Sequence, residues 1–322
     1  PHPPALDPET PYRNPPLTQF TCNRANRVQL PGMRFWLCLA LLLLIHTLSA
    51  SELKVASLHP LLGDLARQVG GDRVKVIDLL GKNSDPHHFE PAPEQLRETG
   101  DIDVFLASGM GLESYLPSLR TIIPSSSQLV VLGDDLPSIE GACNDPDHDH
   151  HDHALDPHWW HSIDTFRRAT TLTAKAFSQA DPEGAKIYQA NALNYRETLN
   201  ELERWTRREI ARIPQKNRIL ATAHAAFGYF CRDFGFQAIP VSGINREQMP
   251  DARTLANLIN DLRTSRVPVI FPETVSNPKT LAALTEETGI ALAPPLNADG
   301  STTDSYESMM RNNVSIIAGA LK

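Results

Sequence analysis

The chain has 322 residues, 41% hydrophobic and 21% charged, with a net charge of −8. That balance is ordinary for a globular protein, and the length allows about two domains of roughly 150 residues. An acidic chain lacks the basic footprint of a nucleic-acid binder, so no nucleic-acid partner is expected.

Residues 1–32 carry eight prolines and no periodic pattern, and are read as an upstream extension from a misassigned start or a disordered leader. Met33-Arg34, the 11-residue apolar stretch Phe35 to Ile45, and Ser49-Ala50-Ser51 resemble a cleaved secretory signal over 33–51. The stretch is too short to span a membrane. Cys38 follows Phe35-Trp36-Leu37 rather than small residues, which argues against a lipid anchor. The mature chain is expected to be a monomer without membrane insertion, in an oxidising compartment, most simply a Gram-negative periplasm. Of the cysteines left there, Cys143 and Cys231, either a bridge or a buried free thiol at Cys231 is open.

The mature chain opens with a strand over Leu53–Ser57 and a helix over Pro60–Val69 that ends at Gly70-Gly71. A strand over Val74–Leu80, a loop and a helix over Ala92–Thr99 follow. Strands over Asp103–Ala107 and Gln128–Leu132 flank another helix. This alternation indicates βαβ units and a mostly parallel sheet. Residues 133–157 form a polar, His/Asp-rich loop, and Ser162–Gln179 is helical. Asp181 as N-cap, Pro182 at the first position and Glu183 in the first turn open a longer helix that ends before Pro214. Its expected apolar positions include Ile187, Ala190, Leu193, Leu199, Leu202, Trp205 and Ile210. It is long enough to be a strut between two lobes, or it is a packing helix. Strands over Arg218–Thr222, Gln237–Val241, Pro268–Phe271 and Ile290–Leu292 then alternate with helices over Ala225–Phe234, Asp251–Thr264 and Pro278–Thr288. A helix over Ser305–Leu321 closes the chain. The expected organisation is an N-terminal lobe (52–165), a helical segment (166–213, with the long helix at 181–213) and a C-terminal lobe (214–322).

Four metal-ligand residues fall where open α/β sheets bind ligands, beyond strand ends or at a helix entry. They are His87, His158, His224 and Asp299. Each alone has a blander reading, as a surface histidine or a turn aspartate. Together, three imidazoles and a carboxylate suit a closed tetrahedral Zn2+ site. Asp85, Glu90 and Glu273 are candidates to orient the imidazoles through their second nitrogens. In the tract Asp147–His153, His148, His150, His151 and His153 suggest an auxiliary, loosely collecting metal site.

The chain resembles the zinc/manganese-binding periplasmic proteins of ABC metal importers. The resemblance rests on Asp-Pro-His-x-Phe-Glu-Pro (85–91), Asp-Pro-His-Trp-Trp (156–160), His-Ala-Ala-Phe-Gly-Tyr-Phe (224–230), Ile-Phe-Pro-Glu (270–273) and the run 304–314. It implies two Rossmann-like α/β lobes with mostly parallel sheets, joined by one long helix, with the metal in the cleft. It also implies ligand roles for His87, His158 and His224, and a membrane permease with its cytoplasmic ATPase as partners. Relatives that prefer manganese tend to carry Glu where this chain has His224, so Zn2+ is favoured over Mn2+. For the fourth ligand Asp299 fits one family pattern; water or Glu273 is the alternative. Such a closed site captures metal rather than performing chemistry, and protons should compete with the cation as pH falls through about 6.5. A secreted zinc hydrolase is the competing class, but it would need an open coordination position, and no His-Glu-x-x-His stretch is present. A surface adhesin holding a structural metal is a third.

Overall fold

The computed structural model describes residues 52–81, 84–98, 100–141, 155–243, 252–274 and 278–322. The expected extension 1–32, the signal segment 33–51, Cys143 and the tract 147–153 lie outside the described residues.

Strand β1 (Leu53–Ser57) is buried except at half-buried Lys54, as suits a central parallel strand covered on both faces. Helix α1 (Pro60–Gly70) crosses to β2 (Val74–Asp78), and α2 (Pro93–Glu98) leads to the fully buried β3 (Val104–Ala107). Helix α3 (Leu116–Ile122) then delivers β4 (Gln128–Val131). The four strands are parallel in the order β2-β1-β3-β4, with Val55 registered against both Val76 and Val104. Strand order reverses at β1, so α1 and the loop after β3 diverge from neighbouring strand ends and leave a crevice there.

Two long helices follow. Helix α4 (Ile163–Ala180) starts where the Ser162 hydroxyl accepts the Thr165 N–H at 3.2 Å. The expected Asp181 N-cap is present, since its carboxylate accepts the Gly184 N–H at 3.3 Å. The same carboxylate also binds the Arg73 guanidinium and the Tyr188 hydroxyl, and Arg73 holds it down to about 2. Residues Pro182–Gly184 form a 3-10 turn, and α5 (Ala185–Ala211) runs 27 residues, about 40 Å. Its buried stripe is Tyr188, Ala192, Tyr195, Leu199, Leu202, Thr206 and Ile210, spaced three and four apart along one face. Ile187 and Leu193, expected on the apolar face, are 45% and 64% exposed. Tyr188 and Tyr195 take the inner face instead, turning both aliphatic neighbours outward. Helix α5 packs along α4 and against α1.

The second sheet is also parallel, in the order β6-β5-β7, from β5 (Ile219–Thr222), β6 (Gln237–Pro240) and β7 (Ile270–Phe271). Helices α6 (Gly228–Phe234), α7 (Ala252–Thr264) and α8 (Pro278–Thr288) complete this lobe. The strand expected over Ile290–Leu292 is reduced to a bridge between Leu292 and Ile270. After Ala293, whose N–H still donates to the Ile270 carbonyl at 2.9 Å, come Pro294 and Pro295, which lack N–H donors.

Helix α9 (Tyr306–Leu321) returns across the molecule to pack on α5 and α1. Its first turn is tied to α1 by the Asp64 carboxylate, which accepts the Tyr306 N–H at 2.8 Å. The Tyr306 ring stacks on Phe166 of α4 at 3.6 Å with an interplanar angle of 2°. One apolar cluster therefore runs from β1 and α1 through α4 and α5 to Phe227, α6 and α9, while smaller clusters fill the outer side of each sheet.

Leu202→Ala, which hollows the fully buried face of α5, should lower unfolding free energy by about 2–5 kcal/mol. Leu193→Ala on the outer face should stay within about 0.5 kcal/mol. Urea denaturation of the two variants beside the unaltered protein checks the assignment of faces.

Candidate metal centre

Three loops bring imidazoles to one point. After β2, the Asp85 carboxylate accepts the His87 N–H at 3.0 Å, folding Asp-Pro-His into an Asx turn. The second Asp-Pro-His repeats this, with Asp156 Oδ1 accepting the His158 N–H at 2.9 Å. After β5, Glu273 Oε1 accepts the His224 N–H at 3.0 Å. Each histidine backbone is thus held by a carboxylate.

The rings are held too. His158 Nδ1 lies 2.8 Å from Asp156 Oδ1, and His224 Nδ1 bonds Glu273 Oε2. Ionised carboxylates only accept, so in neutral rings the proton sits on Nδ1 and the Nε2 lone pair faces the other way. It faces the centre: His158 Nε2 is 3.1 Å from His87 Nε2 and 3.3 Å from His224 Nε2. Lone pairs at that distance repel unless a proton or cation lies between them. Two nitrogens in a tetrahedral zinc shell with bonds of 2.0–2.1 Å would sit about 3.3 Å apart. The donor atoms of His87, His158 and His224 all lie within 4.8 Å of one another. His158 and His224 are buried, and His87 is half-buried.

Asp299 is not one of the donors that all lie within 4.8 Å of one another. It is 2% exposed in the turn Leu296–Ser301, where Asn297 Oδ1 accepts the N–H of Asp299 at 3.3 Å and of Gly300 at 2.7 Å. Asp299 Oδ1 accepts the Ser301 N–H at 3.0 Å. Asn313 of α9 anchors the turn through the N–H and carbonyl of Asn297. Gly300 has φ +78°, and a Cβ there would lie 2.3 Å from Leu61 Cδ2 of α1, so only glycine allows this approach.

Of the expected orienting carboxylates, Asp85 holds its backbone and Glu273 holds backbone and ring. Both Glu273 oxygens serve His224, which suits an orienting role better than coordination. Glu90 is exposed and hydrogen-bonds no imidazole among the described residues. Asp156 was missed, although the repeated Asp-Pro-His carried the signal.

Two further buried histidines were also missed. His161 Nε2 donates to the Ala298 carbonyl at 2.8 Å, beside the Trp160 indole N–H at 2.7 Å, so both rings hold the Asp299 turn. Burial pushes His161 down to about 3 and His59, at the start of α1, to about 4. Trp159, next to His158, donates to Ser108 Oγ at 2.9 Å, and the buried Glu113 carboxylate fixes the Ser108 and Gly109 N–H groups. Among the described residues Cys231 is a buried free thiol, raised to about 12 by burial.

Residues 55–320 match the profile of ZnuA, zinc-uptake complex component A, periplasmic. The chain belongs to this family. Manganese-binding lipoprotein MntA of Bacillus subtilis is 30% identical over 287 residues, covering 84% of this chain and 90% of that protein. Manganese ABC transporter substrate-binding lipoprotein PsaA of Streptococcus pneumoniae is 25% identical over 288 residues, covering 85% and 91%. The fold is shared with the Mn-bound periplasmic metal-binding protein of Candidatus Liberibacter asiaticus (TM-score 0.75, 21% identity, 84% and 100% coverage). It is shared equally with the periplasmic zinc-binding protein TroA of Treponema pallidum (TM-score 0.74, 22% identity, 84% and 99% coverage). ZnuA-family membership makes the chain a metal-binding component of an ABC importer, working with a permease and an ATPase, and not an enzyme. No helix among the described residues is long and apolar enough to cross a membrane.

The lowered value of His161 has a signed consequence. Below about 6.5 the unfolded chain takes up a proton that the folded protein refuses until about 3, so folding weakens as pH falls. His161→Gln keeps an amide donor for Ala298 and removes the titration. Between pH 6.5 and pH 5, denaturant titrations of metal-free protein should show the original losing about 2 kcal/mol more than the variant.

Proposed function

We propose that this ZnuA-family protein captures Zn2+ through His87, His158, His224 and Asp299 and delivers it to its permease. The observation that carries the reading is the convergence of three Nε2 atoms, two of them on rings whose Nδ1 is engaged by a buried carboxylate. A set of three neutral imidazoles and one carboxylate suits zinc, and it leaves no open position for substrate water. In this reading residues 52–165 and 214–322 form the two lobes and 166–213 joins them. The mature monomer works in the periplasm after removal of 33–51, and His148, His150, His151 and His153 serve as an auxiliary site. MntA and PsaA, named for manganese, support the second reading, a manganese binder on the same residues.

Metal analysis of protein purified without chelators should find close to one zinc per chain. His87→Ala, His158→Ala and His224→Ala should each abolish it, and Asp299→Ala should weaken it. Bound manganese in place of zinc, or full retention in the histidine variants, would overturn the proposal. Asp156→Asn and Glu273→Gln should lower zinc affinity roughly 10- to 100-fold in chelator competition, by loosening ring orientation without removing a donor.

A further inference from the structure

His59 stands between β1 and α1 with 1% of its surface exposed. Its Nδ1 accepts the Leu61 N–H at 3.3 Å and caps α1. A backbone amide can only donate, so Nδ1 carries the lone pair and the ring proton sits on Nε2. With its pKa lowered to about 4 by burial, the ring is neutral at neutral pH. Among the described residues that Nε2–H has no hydrogen-bond partner. A buried donor without an acceptor is costly and uncommon, and capping α1 uses only Nδ1, not the Nε2–H.

The surroundings indicate what the donor serves. The His59 ring lies 4.4 Å from the Trp160 ring, whose indole N–H grips the Ala298 carbonyl. Two residues beyond His59, Leu61 closes on Gly300. Asp299 sits between Ala298 and Gly300, so both of its neighbours touch the surroundings of His59, and the ring feels its carboxylate charge. His59 is not itself a cation ligand in this state, because a lone pair on Nε2 would mean giving up the helix cap.

We propose that His59 determines metal selectivity: its Nε2–H takes one oxygen of Asp299 when the cation is bound, leaving the other oxygen alone to coordinate. The inference rests on Asp299 being the fourth donor, as proposed above. A carboxylate bound through one oxygen keeps the shell at four, which suits zinc. A carboxylate free to bind through both oxygens expands the shell toward the higher oxygen coordination that suits manganese. The Ser301 N–H on Asp299 Oδ1 sets the carboxylate from one side, and His59 would set it from the other.

His59→Asn keeps a helix-capping acceptor near the Nδ1 position and deletes the Nε2–H. His59→Gln restores an N–H near the Nε2 position and gives up the cap. Competition titrations with Zn2+ and Mn2+ should show His59→Asn losing zinc affinity roughly tenfold or more while manganese affinity holds or rises. His59→Gln should recover part of the preference for zinc. With Co2+ as a probe, the unaltered protein should show the intense d–d absorption of a four-coordinate ion, and His59→Asn the weaker bands of a larger shell. Thermal melts of the metal-free variants separate this from a loss of folding. Equal losses for both metals, or an unchanged Co2+ spectrum, would overturn the role of His59 while leaving zinc capture intact. Zinc binding untouched in Asp299→Ala would remove the fourth donor and the role of His59 with it, and failure of the unaltered protein to bind zinc would overturn both proposals together.

Discussion

The centre depends on carboxylates that grip histidines twice. Asp156 and Glu273 each accept a backbone N–H and bond Nδ1 of the same residue, so main chain and ring are held by one group. The result is a fixed tautomer as well as a fixed position. Three Nε2 atoms crowd together at separations that neutral lone pairs resist and a divalent cation relieves.

The scaffold is built to keep those grips in register. Parallel strands bring β1, β2 and β5 to the same side as their following loops, and the Asp299 turn is pinned from α9 by Asn313, from the Trp159–His161 turn by two ring N–H groups, and from α1 by Leu61. Helix α5 lends its whole inner stripe to a core continuous with both sheets. Positioning a side chain to a few tenths of an ångström requires that kind of over-determination.

Much of this was legible in the sequence. Short apolar runs located the strands, and Asp181 followed by Pro182 marked the start of the long helical segment because capping is a local interaction. The three clustered histidines stood out because each lay beyond a strand end or at a helix entry. What failed had non-local causes. The inner face of α5 was misjudged at Ile187 and Leu193 because tyrosine burial depends on what α1 and α9 supply. The strand after Ile290 shrank to one bridge beside a proline pair. His161 left no trace in the sequence, since its partner Ala298 is 137 residues away. Asp156 and His59 did leave traces, in a repeated tripeptide and in a histidine directly ahead of a proline-led helix.

The two double grips belong to different parts of the chain: Asp156 and His158 precede the long helix, and His224 and Glu273 follow it. Each pair would move as a unit with its own part. If the parts slid or tilted by even an ångström, the distances between donors would change while every ring kept its proton. Cargo could then be let go by spreading the donors, at constant acidity and without charging an imidazole.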